Sequence, residues 1–321
     1  MLMAKYKASI HFMSLRRNSV SIVIPTHNRY KKLRSLLESI NIFSAGLVDE
    51  AIVVDDSQPL SVLPVLGGDV ILNHIKLKER VYISRAKNLG WKNAKSEYVY
   101  FIDDDNLVCE STIKPLVDIM ESREDIGALM PAVLYKKRPD IVWVYSTPFK
   151  PGRWGFCLIG RNQRRDAALE GRLLNTDALP NACLVRSKVL EEIGGFNESL
   201  AVNSSAEFCL RIKKKGWKVF SCTTSFIFHD TEPPGAIGWW AAHGTADAER
   251  VAIEVADWFR LMKILHSNIN LFAIEASIRS LGFLLPNSLA YLIRGGNSKW
   301  LLLKKQVRGY VDGIISRPSK Y

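Results

Sequence analysis

The sequence predicts an α/β protein: a mostly parallel sheet flanked by helices, with a helical extension at the C-terminal end. Three observations predict it. From Val20 onward, short apolar runs alternate with amphipathic segments, the pattern of parallel strands joined by crossover helices. Three of these runs end in polar residues, Pro25-Thr26-His27-Asn28, Asp55-Asp56 and Asp103-Asp104-Asp105, and such sheets bind ligands beyond the carboxyl ends of their strands. Beyond about Trp239 the pattern is helical and increasingly basic.

The elements follow in order. Val20–Ile24 reads as a strand ended by Pro25, and Leu33, Leu36, Leu37 and Ile40 then fall at i, i+3, i+4 and i+7 on one helical face. Ala51–Val54 is a second buried strand, residues 83–94 a helix, and Tyr98–Ile102 a strand running into three aspartates. Ile113, Leu116, Val117 and Met120 mark the next helix, with Pro115 tolerated in its first turn. Residues 127–177 mix strands and loops rich in Arg, Trp and Gly. Asn181–Arg186 reads as a strand, Ser187–Ile193 as a helix stopped by Gly194-Gly195, and Ser204–Lys215 as a helix stopped by Gly216. The expected organisation is an extension over 1–18, the α/β domain over 19–238 and a helical, basic extension over 239–321.

With 47% hydrophobic residues the chain has ample material for a core, which excludes a disordered protein. The formal charge of +12 points to an anionic partner, either a phosphorylated substrate or an anionic membrane face, or else to a solvated basic surface. Zinc-finger spacing and aromatic-basic RNA-binding motifs are both missing, so nucleic acid is not expected. Cys109, Cys157, Cys183, Cys209 and Cys222 are odd in number and form no CxxC, which fits reduced thiols in a cytoplasmic protein. The first twenty residues lack the apolar core of a signal peptide. Met13 opens a second plausible start, so the twelve residues before it read as a loose extension or an upstream start.

Three adjacent aspartates repel one another unless positive charge sits among them. A hard divalent cation, Mg²⁺ or Mn²⁺, answers this and can hold a diphosphate as well; a solvated acidic turn is the alternative. The stretches VSIVIPTHNR, IVVDDSQ, ISRAKNLGWKNAKSEYVYFIDDD and LPNACLVRSKVLEEIGGFNE, in that order, resemble the family 2 glycosyltransferases of GT-A fold from about Val20 to Asp230. Their prokaryotic members working on lipid-linked or cell-envelope glycans are similar in the tail as well, at Arg308–Gly313. The resemblance implies that Thr26 and Asp55 contact the base and ribose of a nucleotide-sugar donor, with Pro25, Asn28, Arg29 and Asp56 beside them. Asn88 matches an Asn of the family, Lys87 replaces its usual Arg, and Arg85 is expected to share the phosphate-facing work. Asp103 and Asp105 match the two aspartates of the family's DxD motif, Asp104 being the residue between them. Asp105 is the expected ligand of Mn²⁺ or Mg²⁺, with His229 as a second ligand or else a structural histidine. His243 carries less weight.

Inverting transfer needs a carboxylate to take the acceptor's proton. Where the family carries an acidic pair before a helix like Phe208-Cys209-Leu210-Arg211, this chain has Ser204-Ser205, which leaves Glu207. Glu207 is either that base or part of a capping box with Ser204 as N-cap, paired to Arg211 at i+4; Asp177, Glu198 and Asp230 are the fallback bases. Leu271–Leu285 is strongly apolar but holds Glu275 and Arg279 ahead of Pro286, which argues for a helix lying on a membrane or packed on the domain rather than one spanning it. Seven basic residues against one acidic over 294–321, a net of +6, suit an anionic leaflet. Trp239-Trp240 reads as an acceptor platform, an interfacial anchor or a buried pair. The expected function is metal-assisted, inverting sugar transfer to a lipid-linked or polysaccharide acceptor, peripheral to the cytoplasmic membrane face. The alternatives are a silent donor-binding or scaffold homologue and a sugar nucleotidyltransferase, although Pro25–Arg29 lacks the Gly-rich phosphate loop of the latter.

Overall fold

A computed structural model of the chain describes residues 19–44, 46–58, 63, 70–150, 155–232, 248–266, 268–294 and 296–315. Trp239, Trp240 and His243 lie outside the described residues, as does the 1–18 extension. The chain divides into two compact units. The first runs to Phe149 and adds Phe156–Gly195 and Cys209–Pro233; the second comprises Lys150–Gly155, Phe196–Phe208 and the chain from Pro234.

The first unit holds a ten-stranded mixed sheet. Its strands are β1 (Val20–Thr26), β2 (Val48–Asp55), β3 (Ile71–Lys76), β4 (Tyr98–Ile102), β5 (Asn106–Val108), β6 (Ile126–Tyr135), β7 (Arg138–Val144), β8 (Leu173–Asn175), β9 (Ala182–Arg186) and β10 (Lys218–His229). They run in the order β8-β10-β6-β9-β4-β1-β2-β3, with β5 paired to β10 and β7 to β6. The β4-β1-β2-β3 half is parallel, in the register Val23↔Phe101 and Ile24↔Val53. Antiparallel β9 joins β4 to β6, which runs parallel to β10. Helices α1 (Tyr30–Phe43), α2 (Tyr82–Asn93), α3 (Ile113–Ser122) and α4 (Ser187–Ile193) belong to this unit.

The apolar pattern explains these elements. Leu33, Leu36, Leu37 and Ile40 are fully buried on α1, as are all five residues of β4 and all ten of β6. Strands covered on both faces read as unbroken apolar runs. Pro25 lies inside β1 rather than ending it. β4 pairs only with Val20–Val23, so the proline sits where the ladder to β4 has already stopped and its missing N–H costs little on that side.

The second unit carries α6 (Ala248–Leu265), α7 (Ile269–Arg279), α8 (Leu285–Arg294) and α9 (Lys299–Ile315), with one π-helical turn, Ser280–Leu284, joining α7 to α8. The helix α5 (Ser204–Lys214) precedes them in the chain, and its first turn belongs to this unit. Asn203 O accepts the first helical N–H bond of α5, from Glu207. The N-cap is therefore Asn203, and the expected capping box with Ser204 as cap is out of register by one residue. Asp257 on α6 is fully buried and accepts N–H bonds from Ala201 and Val202, each at 2.6 Å. A core of Val255, Phe259, Met262, Phe272 and Ala276 packs with Leu284, Tyr310 and Ile314.

α9 lies so close to α6 that a Cβ on Gly309 would stand 2.3 Å from Ala252 O. That contact is backbone and cannot rotate away, so Gly309→Val should destabilise this unit by about 1–3 kcal/mol, the usual cost of overpacking. A thermal melt with an undiminished transition temperature would show that the two helices pack more loosely than described. Among the described residues no helix is long and apolar enough to cross a membrane.

Candidate active site

Because β1, β2 and β4 are parallel, their carboxyl ends share one edge of the sheet, and Thr26, Asp55 and the segment Asp103–Asp105 come together there. The aspartate segment is held by backbone and amide contacts. Asp103 N donates to Asn181 O at 2.9 Å, and Asn106 Nδ2 donates to Asp103 O and to Asp105 Oδ1. Asn181 Nδ2 in turn donates to Asn106 Oδ1 at 3.1 Å. Sequence reasoning gave neither asparagine a role in the site, although each stands next to or within a quoted motif.

Positive charge does sit among the aspartates. Arg29 reaches Asp104 Oδ1 at 2.6 Å and Asp105 Oδ2 at 2.8 Å, while the buried Lys87 reaches Asp103 Oδ1 at 3.1 Å. Lys87 is thus the basic residue of α2 at this cluster, and Arg85 is exposed on the same helix. Asp104 has no exposed surface and accepts Thr26 Oγ1 at 2.7 Å. Burial pushes its carboxyl up to about 7, with Arg29 and Thr26 opposing and the neighbouring aspartates adding. For Asp105, burial also raises the pKa, but His229, Arg29 and Lys32 outweigh it and hold the carboxyl at about 2.

The Asp104 shift has a consequence for stability. Between its ordinary value of 3.8 and about 7 the folded chain holds a proton that the unfolded chain has released. Stability in chelator therefore falls as pH rises through that window, by up to about 4 kcal/mol. Asp104→Asn should flatten the melting temperature against pH there; an unchanged slope would assign it to another group.

His229 arrives by strand pairing rather than sequence proximity. It closes β10, and the antiparallel register His229↔Asn106 sets it beside Asp105. Asp230 N donates to Asp105 O at 2.7 Å and locks the two segments together. His229 Nε2 is 3.6 Å from Asp105 Oδ2, too far for a hydrogen bond, so its pull on that carboxylate is electrostatic. Its Nδ1 is buried with no hydrogen-bond partner among the described residues. The ring meets Trp143 edge-on at 5.2 Å, and Arg161 stacks over Trp143 at 4.3 Å. Neither Trp143 nor Arg161 was singled out in the sequence, and only the Arg- and Trp-rich character of 127–177 hinted at them.

At the other end of the edge, Asp55 is fully buried and accepts Ser57 N, Tyr30 Oη and His74 Nε2. Burial raises its pKa, and these hydrogen bonds outweigh it and leave the carboxyl lowered. Asp56 accepts Val81 N at 2.8 Å and pairs with His27 at 2.8 Å. Asn28, at φ 54°, donates its N–H to Ser57 Oγ and accepts Gln58 N. Pro25 is buried at the end of β1. Asn88 is buried on α2 and accepts Trp91 Nε1 at 3.2 Å. Gly195, at φ 83°, abuts both: a Cβ there would stand 2.4 Å from Asn88 Oδ1. Glu207 is 1% exposed and belongs to the second unit. Of the fallback bases, Asp177 is taken by Lys213 at 2.5 Å and Asp230 pairs with Lys136 at 3.4 Å.

Residues 21–194 match the model of glycosyl transferase family 2. The chain belongs to that family. Over 103 residues, 30% of this chain and 31% of the relative, it is 32% identical to poly(ribitol-phosphate) β-N-acetylglucosaminyltransferase TarP of Staphylococcus aureus. A glycosyltransferase of Haemophilus influenzae is 23% identical over 108 residues, 34% of this chain and 36% of the relative. The matches thus span about a third of the length of these curated relatives. The mannosyltransferase PcManGT from Pyrobaculum calidifontis, solved with GDP-Man and Mn²⁺, superposes with a TM-score of 0.52 at 15% identity, over 94% of this chain and 88% of that one. GalNAc-T7, solved with UDP, GalNAc and Mn²⁺, gives 0.54 at 14% identity, over 75% and 50%. These likenesses show the fold, which is GT-A.

Proposed function

We propose that this family 2 protein transfers a sugar, with inversion, from a nucleoside diphosphate donor to a hydroxyl of a lipid-linked or polysaccharide acceptor at an anionic membrane surface. The observation that carries this reading is the cluster of Asp103, Asp104 and Asp105 with Arg29, Lys87 and His229 at the carboxyl edge of the parallel strands. The names of the relatives and of the superposed structures add support for a sugar-nucleotide donor.

Among the described residues no group of three or more His, Cys, Asp or Glu is arranged to hold a metal ion by itself. A Mn²⁺ or Mg²⁺ ion nevertheless fits the donors present. Cis ligands of an octahedral ion of this kind stand about 3 Å apart, so Asp105 Oδ2 and His229 Nε2, 3.6 Å apart, would close by about half an ångström to share one. Such ions commonly take one or two carboxylates and complete their shell with phosphate and water. Bound there, the ion would supply Lewis-acid stabilisation to the departing diphosphate.

The chain's own residues do the rest. Lys87 and Arg29 neutralise phosphate charge, and Thr26, Asn28, Asp55, Asp56 and Pro25 line the nucleoside end, with Asn88 behind them. As the acceptor oxygen bonds to the anomeric carbon, the bond from that carbon to the phosphate oxygen breaks and the acceptor's proton passes to Glu207 as general base. Ser204-Ser205, in place of an acidic pair, favours a second reading, a homologue that binds donor without transferring. A panel of UDP-, GDP- and dTDP-sugars with Mn²⁺, assayed for nucleoside diphosphate release, separates the two. Turnover of one donor supports transfer; tight donor binding with no release on any acceptor supports the silent homologue.

A further inference from the structure

From Ile269 to Arg294 the chain is helical without a break, through α7, the π turn and α8. Its inner side packs Phe272, Ala276 and Leu284 into the core of the second unit, and Gln306 of α9 donates to Leu284 O and Ser288 Oγ. Its outer side is apolar as well. Leu271, Ile274, Ile278, Leu281, Leu285 and Leu289 recur every three or four residues and are 38–66% exposed, and Ile293 extends the stripe at 70%. Among the described residues the other exposed positions between them are Ala273, Ser277, Gly282, Pro286 and Leu292. Glu275 is paired with His266, and an exposed apolar stripe of this length exceeds what a soluble surface ordinarily carries.

The neighbouring helix α9 adds exposed aromatic and basic residues. Trp300, 68% exposed, opens α9 with Lys299 stacked on its ring at 5.9 Å. Lys304 and Arg308 are exposed further along the same helix, whose single acid, Asp312, is paired with Arg308 at 3.5 Å. A second copy seated on the stripe would bring two segments of net +6 together, which opposes self-association. An aliphatic stripe bordered by Trp, Lys and Arg complements an anionic bilayer surface, with the aliphatics at acyl depth and the basic groups at the headgroups.

We propose that the outer face of residues 269–294, with the basic α9 beside it, is a membrane-docking surface that lays the chain on anionic lipid without spanning it. This deepens the reading of a membrane-presented acceptor but does not rest on donor chemistry, and the two are separable. The test is flotation of the full chain with vesicles of phosphatidylcholine, alone or with about one-third phosphatidylglycerol, and melting with nucleoside diphosphate and Mn²⁺ in parallel. Wild type is expected to float with the anionic vesicles and far less with the neutral ones. The L281E/L285E/L289E variant should lose flotation by about tenfold or more while keeping its thermal transition, since these side chains are exposed. K304Q/R308Q should lose the preference for anionic vesicles. Wild type that stays unbound, or that forms a stable dimer indifferent to vesicles, overturns the proposal, as does a triple-Glu variant that floats like wild type. Loss of the nucleotide response with flotation intact would count against donor binding alone.

Discussion

Asp105→Asn leaves a folded protein whose sugar-nucleotide turnover is lower by about two to three orders of magnitude and no longer rises with Mn²⁺. The carboxylate is the one in the cluster best prepared for a cation. It is held ionised at about 2, it faces His229 Nε2 at 3.6 Å, and its partner Arg29 is 45% exposed. Asn keeps the volume and can still meet Asn106 but carries no charge, so the metal-free protein should melt somewhat lower, having lost the carboxylate's attraction to Arg29 and Lys32, while the main loss lies in turnover. A variant that turns over normally, with the same Mn²⁺ dependence, would remove Asp105 from the metal site. His229→Gln should move in the same direction more weakly, because it removes one donor and leaves the Asp105 carboxylate in place.

Glu207→Gln is the second large effect, a fall of about 10²–10⁴ in turnover, the range associated with losing a general base. Gln fills the same space and keeps one acceptor, so folding is preserved if the residue works as a base. The register of α5, with Asn203 as N-cap and the Glu207 N–H bonded to Asn203 O, removes the Ser204 capping box as a reason for an acid at this position. A structural Glu207 would reveal itself differently, by a lowered melting temperature at near-normal turnover with donor. In that case the base is sought at Asp230 or Glu198, since Asp177 is committed to Lys213.

Much of the parallel half of the sheet was legible because its signals are local. β1, β2 and β4 carry short apolar runs that lead into the polar residues meeting at the sheet edge, and α1 has an amphipathic period. β3 escaped notice because it is a partly exposed edge strand, Ile71–Lys76, with Asn73 and His74 in it. β5 and the full length of β10 were missed for another reason: their identity depends on pairing across more than a hundred residues, as in His229↔Asn106. The same pairing sets His229 at Asp105, which no spacing in the sequence encodes. Motif matching brought attention to Arg85 as well as Lys87, yet the helical phase of α2 turns Lys87 inward to Asp103 and leaves Arg85 in solvent. The outer stripe of 269–294 was legible as apolar, but that its apolar residues face outward follows only from the packing of Phe272 and Ala276.

The proposed transfer requires that the aspartate edge bind a nucleoside diphosphate through a divalent cation. Calorimetric titration of UDP, GDP and dTDP into wild type and Asp105→Asn, with Mn²⁺ and in chelator, measures that directly. One nucleotide should bind wild type about tenfold or more tighter with Mn²⁺ than without, and Asp105→Asn should abolish the difference. Equal affinity in Mn²⁺ and chelator, or no binding of any of the three, would contradict it.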